Sequence, residues 1–123
     1  MKNFIQNGDR ITWTNGGSAV ASGDPVVVGS LIGVATTDIA GAATGELATV
    51  GVFELPKVAD TTGHAIAQGE SVIFDVSAGK FDNKDLSPGT GDITVVAVAW
   101  AAATSAATTV QVFLTGNPGT IHA

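Results

Sequence analysis

Few residues of this 123-residue chain could do chemistry. Its two histidines are His64 and His122. Acid–base catalysis or zinc ligation needs a second group at a defined spacing. Neither histidine has one in the sequence, so both are expected to be solvent-exposed and non-catalytic. Cysteine is absent, which removes thiolate nucleophiles, thiolate metal sites and disulfides. Serine and threonine are plentiful, but there is no G-x-S-x-G elbow and no neighbouring base, so strand and turn roles account for them. A phosphate loop requires G-x-x-x-x-G-K-[ST]. Ala78-Gly79-Lys80-Phe81 approaches it, yet Phe74 stands where the first glycine belongs and Phe81 where the hydroxyl belongs. Asp82-Asn83-Lys84-Asp85 is the one acidic cluster. A calcium loop needs alternating oxygens, a glycine and a closing Glu. Lys84 interrupts that pattern, and the cluster reads as a hydrated hairpin tip. No catalytic residue, cofactor or metal site is assigned, and the chain is not expected to be an enzyme.

Composition narrows the partners. The net charge is −6, and the only basic residues are Lys2, Arg10, Lys57, Lys80 and Lys84. A nucleic-acid binder needs a basic footprint to neutralise phosphates, so no nucleic acid is expected. No apolar run approaches the ~20 residues that span a bilayer, and MKNFIQNGDR has no apolar signal core; no membrane is expected, and synthesis in a cytosol is. Charged residues make up only 13% and apolar ones 45%. So few charges imply that part of the surface meets another protein or another copy.

The elements that would position any site read as strands. In Arg10–Thr14, Ile11 and Trp13 alternate with threonines, as in a half-buried strand. Pro25–Gly29 and Leu31–Ala35 follow. Thr36–Gly45 reads as a loop. Glu46–Leu55 reads as one strand ended by Pro56, and Lys57–Gly63 as a connector. Ser71–Val76 is the next strand. Lys80–Gly91 is a polar excursion, the most exposed loop. Asp92–Trp100 is apolar on both faces, with Ile93, Val95, Ala97 and Ala99 on one side and Thr94, Val96, Val98 and Trp100 on the other. Thr109–Leu114 is the last strand. No segment carries a helical stripe. The expectation is an all-β fold, a compact sandwich or barrel of about eight to ten short strands.

The chain also repeats itself. Ala21–Gly33, ASGDPVVVGSLIG, aligns without a gap with Ala67–Gly79, AQGESVIFDVSAG. Thr49-Val50-Gly51-Val52-Phe53 matches Thr109-Val110-Gln111-Val112-Phe113, which gives Phe53 and Phe113 the same slot. The expected organisation is an arm over 1–10, one β domain over 11–116 with halves of about 11–56 and 64–116, and a tail over 117–123. Core packing is the default for aromatics, but Trp13 and Trp100 are also interface candidates, because Trp is enriched at interfaces.

These pieces resemble a known pattern: MKNFIQ-x-G-D at Met1–Asp9, the Gly-acid turns at Ala21–Gly29 and Ala67–Val72, L-x-G-V-A at Leu31–Ala35, G-V-F-E-L-P-K at Gly51–Lys57 and V-A-V-A at Val96–Ala99. Together they are similar to the capsid decoration, or cement, family of tailed bacteriophages. Gly51–Lys57 is the most specific block. The resemblance implies a structural protein of the virion's outer capsid surface, made in the host bacterial cytoplasm. It implies a homo-oligomer, a trimer, that ties neighbouring capsomers together and has the major capsid protein as partner. Relatives have carried a recombinase label, which the missing phosphate loop and basic groove do not support. Capsid or subunit contact is expected from Lys2, Asn3, Phe4 and Ile5 in the arm and from Trp13 and Trp100. The alternative is a surface-displayed carbohydrate- or receptor-binding module, using the Lys80–Gly91 loop, where Phe81 is the one aromatic.

Overall fold

The computed structural model describes residues 3, 5, 8–84 and 87–123. Among them the fold is all-β, ten strands in two sheets without a helix. The strands are β1 (Arg10–Thr14), β2 (Pro25–Val28), β3 (Leu31–Ala35), β4 (Thr44–Ala48) and β5 (Val50–Pro56). They continue with β6 (Ser71–Asp75), β7 (Lys80–Asn83), β8 (Ile93–Ala99), β9 (Thr109–Thr115) and β10 (Thr120–Ile121). The first sheet runs β1-β4-β3-β2 and the second β5-β9-β8-β6-β7, with β10 on β8.

The strand expected over Glu46–Leu55 is in fact two strands in different sheets. The chain crosses between sheets at Thr49, which is buried; its N–H donates to Asp9 O at 2.9 Å and its hydroxyl to Gly8 O at 2.8 Å. The β5 segment, grouped with the first half in the sequence, therefore belongs to the second sheet.

The two sheets are one strand plan used twice. In each, a Gly-acid turn precedes the strand, with Gly23 at φ 89° and Gly69 at φ 85°. The acid closes the turn alike in both: Ala21 N–H donates to Asp24 Oδ2 and Ala67 N–H to Glu70 Oε1. Registers fix the remaining equivalences. The pairs Val26↔Gly33, Ala35↔Leu47 and Ile11↔Leu47 correspond to Val72↔Ala97, Ala99↔Val112 and Phe53↔Val112. So β1, β4, β3 and β2 correspond to β5, β9, β8 and β6.

That correspondence corrects the gapless alignment. Gly33 is not the counterpart of Gly79. Gly33 lies within β3, where a Cβ would sit 2.7 Å from Leu47 Cβ, whereas Gly79 turns the β6–β7 hairpin at φ 68°. Likewise, the two T-V-x-V-F segments are not equivalent: β5 and β9 are antiparallel neighbours with Val52 opposite Phe113. Phe53 thus packs on the core while Phe113 lies on the other face of the sheet. The segment between β6 and β8 is the second unit's insertion, as its lack of a counterpart suggested.

The insertion is not all exposed loop. Residues 80–83 form β7, and Phe81 is fully buried, edge-on to Phe74 at 5.0 Å. Lys57, just past β5, bridges to Phe81, and Val58 N–H donates to Phe81 O at 2.9 Å. The edges of the second sheet thereby meet, and it curls around a core that includes Leu55, Phe74, Phe81 and Val112. Ile32 and Val34 of β3 pack into that core from the first sheet. On its other face the first sheet has a smaller core of Val26, Ala35, Ile39 and Leu47. Residues 117–123, expected as a tail, carry β10, and Gly119 N–H donates to Ser30 O at 2.8 Å. Gly119 fits there because it lacks a side chain: a Cβ would come within 2.6 Å of Thr94 O.

Candidate functional site

The second sheet buries one face and leaves the other exposed along β5, β9 and the end of β8. Along β9, Val110, Val112 and Leu114 point into the core, so Phe113 and Thr115 face outward. Cross-strand pairing sets Val52 on one side of Phe113 and Val98 on the other. Trp100, just beyond β8, completes the row; its ring stands edge-on to Phe113 at 5.7 Å. Trp100 is 53% exposed, and Val52, opposite Phe113, and Val50, opposite Thr115, are also exposed. Gln68, Gly69, Val98, Trp100, Phe113 and Thr115 border a largely apolar groove of about 390 Å³. An apolar face of this kind is a candidate contact surface.

The expected alternation in β8 holds only in part. Val95 has a left-handed backbone, φ 59°, and the β6–β8 register shifts there, a bulge that exchanges two faces. Val96 turns into the core and Val95 out to solvent. Val98 and Trp100 remain on the outward side.

Trp13 is in the other sheet, half-buried with Ile11 against the smaller core. The two tryptophans therefore sit on different faces of different sheets. Asn3 and Ile5 are exposed. Lys2 and Phe4 lie outside the described residues, as does Asp85 of the acidic cluster. Val52, Val98 and Phe113 are not among the contact residues expected from the sequence. The available signal was the inward alternation Val110, Val112, Leu114, which leaves Phe113 facing away from the core.

His64 corrects an expectation: it is neither fully exposed nor partnerless. Its Nδ1 lies 2.8 Å from Asp82 Oδ1 and its Nε2 3.8 Å from Asp60 Oδ2. Asp82 is buried and also accepts from Asn83 N–H. Nearby, Lys57 is 1% exposed. Its Nζ donates to Val58 O at 2.7 Å, Ser105 O at 3.2 Å and Ala107 O at 3.5 Å. Burial pushes this ammonium below the ordinary lysine value, and the charge of Asp82 opposes the shift. These contacts join the segment after β5 to β7 and to the loop before β9. Their saturated hydrogen bonding is that of a structural clasp. His122 has an exposed side chain, but its backbone is held, with N–H donating to Asp92 O and O accepting from Gly91 N–H. The burial of Phe81 removes the one aromatic that a glycan-binding Lys80–Gly91 loop would have displayed.

Comparison with curated proteins gives no match. The family model described as phage cement protein matches residues 5–114, nearly the whole chain. That family is structural and its members associate with phage capsids, which agrees with an apolar face and a saturated polar interior. The chain belongs to the phage cement protein family.

Proposed function

We propose that this chain is a head decoration protein that binds the outer surface of a phage capsid and stabilises the joints between capsomers. The observation that carries the reading is the bare face around Trp100, an apolar surface on a sheet whose other side is fully packed. Within the virion, the chain assembles as a trimer on the major capsid protein. The arm, Lys2 to Ile5, reaches the shell or a neighbouring subunit, and the Trp13 and Trp100 faces supply subunit contact. Burying apolar area is worth ~25 cal/mol per Å². A modest contact repeated over a shell therefore resists the outward pressure of packed DNA without any chemistry.

The test adds purified protein to capsids that lack it. Binding, together with slower heat-induced DNA release, is expected. Deleting residues 1–7 should abolish binding while leaving the far-ultraviolet spectrum unchanged. Failure of the full chain to bind would overturn the function, and undiminished binding of the truncated chain would overturn the role of the arm.

A further inference from the structure

The second unit has a strand that the first lacks, and the edge it covers can be compared residue by residue. There β7 runs antiparallel along β6, with Asn83 opposite Val72, Asp82 opposite Ile73 and Phe81 opposite Phe74. The equivalent strand, β2, is the last of its sheet and pairs with β3 alone. Val26, Val27 and Val28 hold the places of Val72, Ile73 and Phe74. Antiparallel pairing alternates between bonded and non-bonded pairs. The β2–β3 hairpin closes on Val28 and Leu31, so Val26 and Val28 bond to β3, and Val27 turns its N–H and C=O to the open side. Pro25, which has no N–H to offer, precedes this stretch. Val27 and Val28 are only half-buried, whereas Ile73 and Phe74 are 6% and 3% exposed. The core beneath β2 is already closed, with Ile39 packed over Gly45, so it is the backbone edge that is open.

The surrounding side chains repeat the comparison. Glu70, the acid of the second unit's turn, pairs with Lys84, just past β7, at 3.5 Å. Its counterpart Asp24 accepts from Ala21 N–H and has no cation beside it among the described residues. Asn83 Nδ2, at the end of β7, donates to Ala65 O. The counterpart of Ala65 is Ala19, which instead borders an open apolar groove with Val20, Ala21 and Ile39.

We propose that β2 takes an added strand from another protein, antiparallel and in the register that β7 uses on β6. An exposed edge is a template for such pairing, in which main-chain bonds give affinity and alternate side chains give specificity. The incoming strand carries an apolar residue opposite Val28 and a basic residue three places on, beside Asp24, the spacing of Phe81 and Lys84. Within this chain only that pair has the spacing, and β7 already uses it, so the strand does not come from a second copy. That it comes from the capsid protein rests on the decoration reading.

The test decorates capsids that lack this protein with the purified chain and images them by electron cryomicroscopy. The expected map shows an extended segment of the capsid protein beside β2, with a lysine or arginine at Asp24. A bound chain whose β2 faces solvent, or carries a segment of a second copy, would overturn the proposal and leave the decoration role standing. A chain that binds no capsid overturns both. Val27→Pro removes the outward N–H and should lower capsid affinity at least about 10-fold, with a melting curve to show that it folds. Asp24→Asn keeps the acceptor of the turn and removes the charge. It should lower affinity about 2- to 5-fold at low salt, a difference that vanishes at high salt. Full affinity in either folded variant would overturn the added strand.

Discussion

Replacing Lys57 by Met tests whether the clasp holds the second sheet closed. Methionine keeps the length of the aliphatic stem and removes only the ammonium. Three carbonyls then lose their donor, those of Val58, Ser105 and Ala107. Ser105 O keeps the N–H of Asp60 at 3.0 Å. A hydrogen bond from a charged group contributes about 1.5–3 kcal/mol, and the two shorter ones, at 2.7 and 3.2 Å, dominate. Removing a buried charge also returns its desolvation cost, and apolar replacements of buried ion pairs are often neutral. Here the acceptors are backbone carbonyls that stay in place, so the balance falls to a net loss of about 2 kcal/mol. For a chain of this size that lowers the melting temperature by roughly 8 °C. Calorimetry of the two proteins at pH 7 decides the matter. A Lys57→Met protein as stable as wild type, or more so, would refute the claim that the ammonium secures this loop.

The same residue has a pH signature. Burial holds its proton more weakly in the fold than the ordinary lysine value of 10.5 implies, with Asp82 opposing, so the unfolded chain binds that proton better and stability rises as pH climbs toward 10.5. The gap between wild type and Lys57→Met should therefore widen over that alkaline range in urea melts; a narrowing gap would mean that the ammonium form is favoured. Asn15 occupies the equivalent place in the first unit, buried, with Nδ2 donating to Ser18 O at 2.8 Å and Ile39 O at 3.1 Å. Asn15→Ala should cost about 1–3 kcal/mol in denaturant unfolding; no loss would remove it from the fold's polar supports. Gly33→Ala places a methyl 2.7 Å from Leu47 Cβ, an atom no rotamer can move away. It should cost about 1–3 kcal/mol by overpacking, and a melting temperature equal to wild type would show that β3 and β4 shift apart freely.

Alternation made β1 legible, with Ile11 and Trp13 half-buried between exposed neighbours, while β2, β3 and β6 were legible as short apolar runs bounded by glycine turns. The crossing at Thr49 was hidden by alternation. Leu47, Phe53 and Leu55 keep one parity straight through it, so periodicity carries no sign that the chain changes sheets. β7 was hidden by its polar letters. Asp82 reads as exposed, yet its carboxylate is satisfied by His64 and by the Asn83 amide, and a distant partner cannot be seen in local sequence. The repeat was legible in its turns but not in its strands. The turns need a glycine at positive φ followed by an acid, which constrains residue type. Strand positions need only an apolar side chain, so T-V-x-V-F matched a neighbour instead of the true counterpart. Trp100, an interface candidate from its residue type, is exposed just past β8, but the row around it depends on register.

The asymmetry between the units explains why one outer face, the side of the second sheet away from its core, stays exposed. The second unit has β7 inserted, β10 added, and the Lys57–Phe81 bridge drawing its edges together. Its core is deep and includes Val72 and Phe74 of β6. The first unit lacks these additions, and its own core is smaller, Val26, Ala35, Ile39 and Leu47 with Ile11 and Trp13 packed against them. It depends on lodging Ile32 and Val34 in the second unit, as small sheets depend on a partner layer for stability. A chain built this way cannot close both faces of both units internally. The first unit closes its own inner face, the side that bears Val26, Ala35, Ile39 and Leu47, so the outer face of the second unit, with Val52, Val98 and Trp100, is the one that stays exposed.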